Sequence, residues 1–546
     1  MRDAAARVIE ALEARGFSHL GSSPTGWFQL HGTLWAPRAG QSAPCEVLLD
    51  PKFAKLPKVR LLEKPASLPS AAPHLGPTGS LCYLDESSVV IDIFDPVGQS
   101  LACVERAEAV LDSILLGEFV EDLTEEFFAY WTHYSCYVDL ESSALGRHSG
   151  MFGKARGKSS LCITDDEARS MRKLEALGFE RTGETVLTYR VKTTAQPRPW
   201  GGDWPPKTVS EMLSWQSTLD PRCRTKIHER IKEGFRNKAS LVLVLIESPL
   251  LTYGIAVHLH DALEAEKAKR KPSRLASRGD PTLRAAAHPL WLIRIDDQYV
   301  AQRSVPGVRT LAGKQVALVG CGTIGGHLGD ALIRMGAGTG GGRLTLVDND
   351  TLGAHNIGRH RIGFAHLGAN KASALKSELN RVMPSAQIRA LPVDVREAEL
   401  GKPDLIIDAS GEEALGHWLC RCFLRRGAML SVWIEGPGTA VRGLLHESSE
   451  TACYRCLWHY NRRGELLTVE GGAPRVLAGQ GCEGLFVPFP NTVSLHAAAL
   501  GAEMVLDWVN ASSSPLLRTR LLSQKFKAAT DDFDPACHHE CPICSS

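Results

Sequence analysis

Among the side chains able to do chemistry, two Cys-x-x-Cys pairs stand out: Cys453-Tyr454-Arg455-Cys456 and Cys541-Pro542-Ile543-Cys544. Two such pairs supply four thiolates at the spacing a tetrahedral structural zinc site requires, so Cys453, Cys456, Cys541 and Cys544 are the expected Zn2+ ligands. Cys537 lies near enough along the chain to substitute, at a poorer spacing. A second constellation begins at Val316, where the apolar run VALVG passes at once into Gly320-Cys321-Gly322-Thr323-Ile324-Gly325-Gly326 and a helical stretch to Met335. A strand, a glycine turn and a helix start cradle phosphate because backbone N–H groups and the helix dipole face the anion. The next strand, Leu344 to Val347, ends in Asp348, where a carboxylate can accept hydrogen bonds from ribose hydroxyls. Downstream, Asn356, Arg359, Lys371 and Asp408, the last at the end of a third strand, add two fixed cations and a carboxylate. A dinucleotide needs no such set, whereas a triphosphate with Mg2+ does. No GxxxxGK[ST] follows any strand, which disfavours a P-loop enzyme.

Two further thiols need separate readings. Cys482 sits in Gly479-Gln480-Gly481-Cys482-Glu483-Gly484, ahead of a stretch from Thr492 to Trp508 that reads as a buried helix. A loop before a helix start can give a thiol both access and a depressed pKa, although a plain loop cysteine has the same setting. Cys82 lies in Gly79-Ser80-Leu81-Cys82-Tyr83-Leu84-Asp85, and its bland reading is a small hydrophobe packed beside a strand. Packing is also the expectation for Cys45, Cys103, Cys136, Cys162, Cys223, Cys321, Cys420 and Cys422.

The elements that must position these groups need several cores. At about 150 residues per domain, 546 residues suggest three to four domains. Hydrophobic and charged fractions of 44% and 23% are those of globular proteins. A net charge of +1 removes the usual basis for broad binding to nucleic acid or anionic lipid. Fifteen cysteines and an N-terminus without an apolar signal core argue against a disulfide framework; no run is long enough to span a membrane, and a cytoplasmic protein is expected. Residues 2 to 14 have the period of an amphipathic helix, Phe28 to Pro37 and Cys45 to Pro51 read as an antiparallel meander, and Glu105 to Leu116 returns to helical period. The polar segment Gly146 to Ser160, GRHSGMFGKARGKSS, predicts a mobile loop or hinge. Apart from an apolar strand at Ser240 to Ile246 and a solvated, charged stretch from Glu264 to Arg278, the middle region carries no readable motif.

From about Leu311 to Cys544 these residues resemble the ThiF-type activating enzymes, relatives of the ubiquitin-activating enzymes. The resemblance implies ATP and Mg2+ binding by Gly320, Gly322, Gly325, Asp348, Asn356, Arg359, Lys371 and Asp408, a zinc closed by the two knuckles, and an acyl-accepting thiol at Cys482. His360 departs from the family, which commonly has glutamine there. It further implies a homodimer through this domain, with Arg303 a candidate to reach a partner's site. Residues 1 to about 118, with Pro73-His74-Leu75 upstream of the Cys82 segment and Asp95-Pro96 opening a helix, resemble ubiquitin-conjugating enzymes, which makes Cys82 a carrier thiol. The asparagine of that family's active site is absent, leaving His74 or Asp85 to assist acceptor attack.

The expected architecture is therefore a multidomain α/β chain. It has a ubiquitin-conjugating-like α+β fold over 1–118, a mixed α/β linker domain over 119–300, and a Rossmann-like ThiF adenylation fold with structural zinc over 301–546. Together the two resemblances point to the bacterial fusions of conjugating and activating enzymes in antiphage ubiquitin-like systems. They imply that ATP activates the C-terminus of a glycine-terminated donor, either a ubiquitin-like modifier or a cyclic-nucleotide-synthesising nucleotidyltransferase. The acyl group would pass through Cys482 and Cys82 to an acceptor lysine. A sulfur-carrier-protein adenylyltransferase with a passive N-terminal domain, and a nucleotide-binding scaffold, are the competing expectations.

Overall fold

The computed structural model describes residues 2–155, 157–199, 204–269, 280–448, 450–474, 476–479 and 486–544. Three sheets follow one another along the chain. The first has five strands in sequential antiparallel order, Ser18–Ser22, Phe28–Ala36, Gln41–Leu49, Lys58–Leu61 and Ser80–Leu81. Helices Arg2–Glu13 and Pro96–Leu115 supply Val8, Leu12, Val104, Ala107 and Leu111 to a core shared with Leu30, Leu34, Val47 and Val59 of the strands. Asp95 caps the second helix by accepting the Gly98 N–H, with Pro96 at its first turn.

The second sheet closes into a seven-stranded barrel in the order Leu241–Glu247, Thr252–His258, Ala286–Arg294, Tyr134–Asp139, Lys158–Thr164, Gly146–Ala155 and Glu180–Lys192. The segment expected to be a mobile loop is instead a hairpin of this barrel: Gly146–Ala155 pairs antiparallel with Lys158–Thr164 and, on its other side, with Glu180–Lys192. Its polar composition misleads because few apolar side chains serve both faces: Gly150 and Phe152 face the cluster of Val186 and Leu161, while Met151 and Gly153 lie on the other face with Phe179. A Cβ added at Gly150 would lie 2.9 Å from Thr188 Oγ1, and one at Gly153 would lie 3.0 Å from Phe179. Helices Val209–Leu219 and Pro221–Arg236 cover one flank, burying Trp215 and Ile227 against Val242 and Tyr253.

The third sheet has seven strands in the order Ile388–Leu391, Arg343–Val347, Gln315–Val319, Leu405–Asp408, Ala428–Glu435, Ala440–His446 and Leu517–Leu521. The first five are mutually parallel and the last two antiparallel. The strand ending in Asp408 is fourth in the chain, after the edge strand Ile388–Leu391, yet it pairs directly with the first strand, Val319 opposite Asp408. Strand order therefore reverses between these two, which opens a crevice at their carboxyl ends. Helices Thr323–Arg334 and Asn491–Asn510 pack on one face, where Gly501 lets Leu328 and Val432 approach. Barrel and third sheet are joined by buried polar contacts: Lys173 meets Asp139 and Asp297 at 2.7 Å, Ser385 Oγ donates to Asp297 at 2.6 Å, and Arg172 donates to the Pro384 carbonyl at 3.1 Å.

Candidate functional site

The crevice holds the glycine turn. Gly320 has φ +85°, and a Cβ there would stand 2.7 Å from the Ser410 backbone; a Cβ on Gly325 would fall 1.8 Å from the Gly320 carbonyl. Both positions therefore need glycine for the strand to turn directly into the helix. Gly322, by contrast, has nothing within 4 Å of a Cβ, so its open side faces the crevice. It caps the helix without a side-chain partner, leaving the first-turn N–H groups free for an anion.

The expected site residues surround this turn. Asp348 accepts N–H bonds from Cys321 (2.7 Å) and Asp350 (2.8 Å), and burial pushes its carboxyl up. Lys371 pairs with Asp350 at 2.8 Å, and Asn356 accepts the Gly353 N–H at 3.0 Å. Arg359 stacks on Phe489 with 4.5 Å to the ring centre and donates to the Val487 carbonyl. Its Nε is buried without a partner, no carboxylate among the described residues pairs with it, and burial lowers its pKa. Asp408 is buried, also raised by burial, accepts both the N–H and the hydroxyl of Ser410, and has no cationic partner among the described residues. Gly322, Arg359 and Ser410 open onto a cavity of about 780 Å3 whose far wall carries Trp433, Tyr454 and Trp458. His360 is buried with its Nε2 unpartnered and its pKa pushed down to about 4, first by burial and then by Lys371. Ser410, which fixes Asp408, was not expected, since nothing in its spacing distinguishes it.

The two knuckles, far apart in sequence, meet. Sγ of Cys453 lies 3.8 Å from Cys456 and 3.7 Å from Cys541, and Cys456 lies 3.5 Å from Cys544. Four sulfurs around one zinc at about 2.3 Å would stand about 3.8 Å apart, so the donor set fits a tetrahedral ion. Cys537 does not join that group of four; its thiol contacts the Thr451 carbonyl at 3.1 Å.

Cys82 is exposed at the end of the short strand Ser80–Leu81, and its N–H donates to the His74 carbonyl at 2.8 Å. Burial, then Glu126 and Asp85, push its thiol up. His74 has φ +56° and is held by Glu126 and Asp122, two carboxylates that no sequence spacing links to it. Asp85 caps its own turn through Ser87. Cys482 lies outside the described residues, and Arg303 is exposed at the end of helix Asp297–Gln302. The remaining cysteines expected to pack are buried, Cys422 partly so.

This sequence is 57% identical over 543 residues to the ATP-dependent ubiquitin transferase-like protein Cap2 of Pseudomonas aeruginosa, spanning 100% of this chain and 99% of that one. The chain belongs to the Cap2 family of ATP-dependent ubiquitin transferase-like enzymes. The Cap2 protein of Vibrio cholerae is 25% identical over 502 residues, covering 84% of this chain and 85% of its own. Residues 297–541 match the ThiF family and residues 30–137 match Prokaryotic E2 family B, so this family fuses an E2-like region to a ThiF-type adenylation fold. The molybdopterin-synthase adenylyltransferase of Escherichia coli is 29% identical over 182 residues, 32% of this chain and 70% of that one. No helix among the described residues is long and apolar enough to cross a membrane.

Proposed function

We infer that this enzyme adenylates the C-terminal carboxylate of a partner protein, captures the acyl group on Cys482, passes it to Cys82 and conjugates it to an acceptor amine. The observation that carries this reading is the pair of uncompensated charges in the crevice, Arg359 with no anion and Asp408 with no cation among the described residues. A buried unpaired charge is costly, and a triphosphate with Mg2+ offsets both at once. Arg359, Lys371 and the free N–H groups above Gly322 would hold the phosphates, Asp348 the ribose and Asp408 the metal ion.

In the first step a carboxylate oxygen of the donor attacks the α-phosphorus and pyrophosphate leaves, giving an acyl-adenylate. The Cys482 thiolate then attacks the acyl carbon, forming a C–S bond and releasing AMP. Cys82 displaces Cys482 from the thioester, and an acceptor amine, a lysine in this reading, finally displaces Cys82. That last step forms C–N, breaks C–S and returns the amine proton to the leaving sulfur through solvent. Zn2+ on Cys453, Cys456, Cys541 and Cys544 would tie the C-terminal segment to the helix Tyr454–Arg462, which walls the cavity. The division into units of 1–118, 119–300 and 301–546, homodimerisation through the adenylation region, a glycine-terminated donor and an antiphage setting in the cytoplasm complete the reading.

Intact mass spectrometry of the chain incubated with ATP, Mg2+ and a glycine-terminated donor tests it. Thiol-labile acyl adducts at Cys482 and Cys82, with Cys82→Ser abolishing conjugates but not partner-dependent pyrophosphate exchange, are expected. Conjugates that persist in Cys82→Ser would leave a sulfur-carrier-type activator, and nucleotide binding without exchange would leave a scaffold.

A further inference from the structure

The strand-end loop carrying His74 is completed from outside the E2-like sheet. Both oxygens of Glu126 are committed to His74: Oε2 accepts its backbone N–H at 2.7 Å and Oε1 faces its ring Nδ1 at 2.9 Å. The other ring nitrogen, Nε2, meets Asp122 Oδ2 at 3.0 Å, and Phe119 closes edge-on at 4.9 Å. The Tyr130 hydroxyl lies against the Ala72 carbonyl (2.8 Å) and the Leu75 carbonyl. These contacts hold His74 in the left-handed region that a bulky side chain rarely occupies. His74 in turn accepts the Cys82 N–H through its carbonyl.

The segment providing this clamp belongs to the barrel as much as to the sheet. Within the short helix Phe127–Tyr130, Phe127 is fully buried between the barrel and its flanking helices, stacked on Trp131 at 5.0 Å and on Trp215 at 6.3 Å. The Trp131 indole N–H donates to the Gly254 carbonyl of a barrel strand at 2.9 Å. One short helix thus has Phe127 and Trp131 rooted in the barrel, while Glu126 and Tyr130 grip the loop beneath Cys82.

We propose that the segment anchoring the E2-like region to the barrel completes the carrier-thiol site: Glu126, with Asp122 and Tyr130, is a positioning residue that fixes His74 and thereby the backbone of Cys82 for the transfer to an amine. This rests on the reading of Cys82 as the acyl carrier, and it assigns a task to three residues that no sequence spacing links to that thiol. Glu126 and Asp85 are the charged groups that face the thiol, so removing Glu126 also alters the charge felt at sulfur.

The test uses the full chain, loaded with a donor acyl group in ATP and Mg2+ and then chased with free lysine. For Glu126→Gln, we expect discharge of the Cys82 thioester to slow at least tenfold, in the maximal rate rather than in the lysine concentration for half-maximal rate. Loading of Cys82 and pyrophosphate exchange should stay within twofold, and the pH at which Cys82 becomes alkylatable should move down. Tyr130→Phe, which keeps the ring and loses only the hydroxyl, should slow discharge in the same direction without unfolding. The double variant Glu126→Gln with His74→Ala should be no slower than the worse single one, because the two act as a unit. Wild-type discharge in Glu126→Gln, or losses that add in the double variant, would overturn the proposal. If Cys82→Ser itself leaves conjugates intact, it is the carrier reading that fails.

Discussion

The nucleotide crevice and the Cys82 loop are built on opposite principles. The crevice is made within one sheet, from glycines that bring backbone close to backbone, and it leaves charges open: Arg359 and Asp408 lack counter-ions among the described residues. The Cys82 loop is assembled from segments up to 58 residues apart and leaves its histidine matched, since both ring nitrogens of His74 face carboxylates. A site that must draw in a highly charged ligand keeps its charges unmatched until the ligand arrives. If Cys82 hands on a neutral acyl group, as proposed, its loop gains more from rigid alignment.

That contrast can be broken at either end. The largest effect is expected for Phe127→Ala, which empties a fully buried aromatic position and costs about 3–5 kcal/mol. Calorimetry should show a lowered barrel transition, and lysine discharge from Cys82 should fall while pyrophosphate exchange below that transition persists. Equal loss of both activities would show that the two sites are not separable. Next, Arg359→Ala should reduce partner-dependent pyrophosphate exchange by about 10²–10³-fold, yet leave a preloaded Cys82 thioester to discharge at its normal rate. A slowed discharge would place Arg359 in both steps.

His360 sharpens the comparison through pH. Its folded pKa of about 4 lies below the ordinary 6.5, so the fold favours the neutral ring. The associated stability is fully present above about pH 6.5 and is lost as pH falls toward 4. Between pH 7 and pH 5 the loss is about 2 kcal/mol, read as a fall in the thermal midpoint that His360→Gln should abolish. The smallest effect is expected at one glycine, with a second as its contrast. Gly322→Ala meets open space, so stability should hold within about 0.5 kcal/mol while the KM for ATP rises a few-fold. Gly325→Ala, driven against the Gly320 carbonyl, should reduce the folded fraction itself. If the two variants behave alike, the crevice is less tightly specified than its backbone contacts indicate.

What could be read from the sequence divides along the same line. The glycine turn, Asp348 and the knuckles announce themselves because their members lie within a few residues of each other or repeat a fixed spacing, and the meander and the helices at each end obey simple periods. The reversal of strand order that brings Asp408 opposite Val319 follows once the two strands are recognised. The barrel was opaque because its strands close through distant partners, Glu180–Lys192 running parallel to Leu241–Glu247, and because glycines with a lone Met151 and Phe152, rather than an alternating apolar run, fill the packed positions of its most polar strand. Glu126 and Asp122 gave no signal at all, since their relation to His74 exists only after the Phe127 helix has docked.

The closed ring of the barrel has one more consequence. Among the described residues the sheets on either side of it both end in edge strands, Ser18–Ser22 in one and Ile388–Leu391 in the other. Exposed edges on one polypeptide invite mispairing while the chain emerges from the ribosome. A sheet with no edge, standing between the two, offers neither of them a strand to pair with once Ala286–Arg294 has closed the ring.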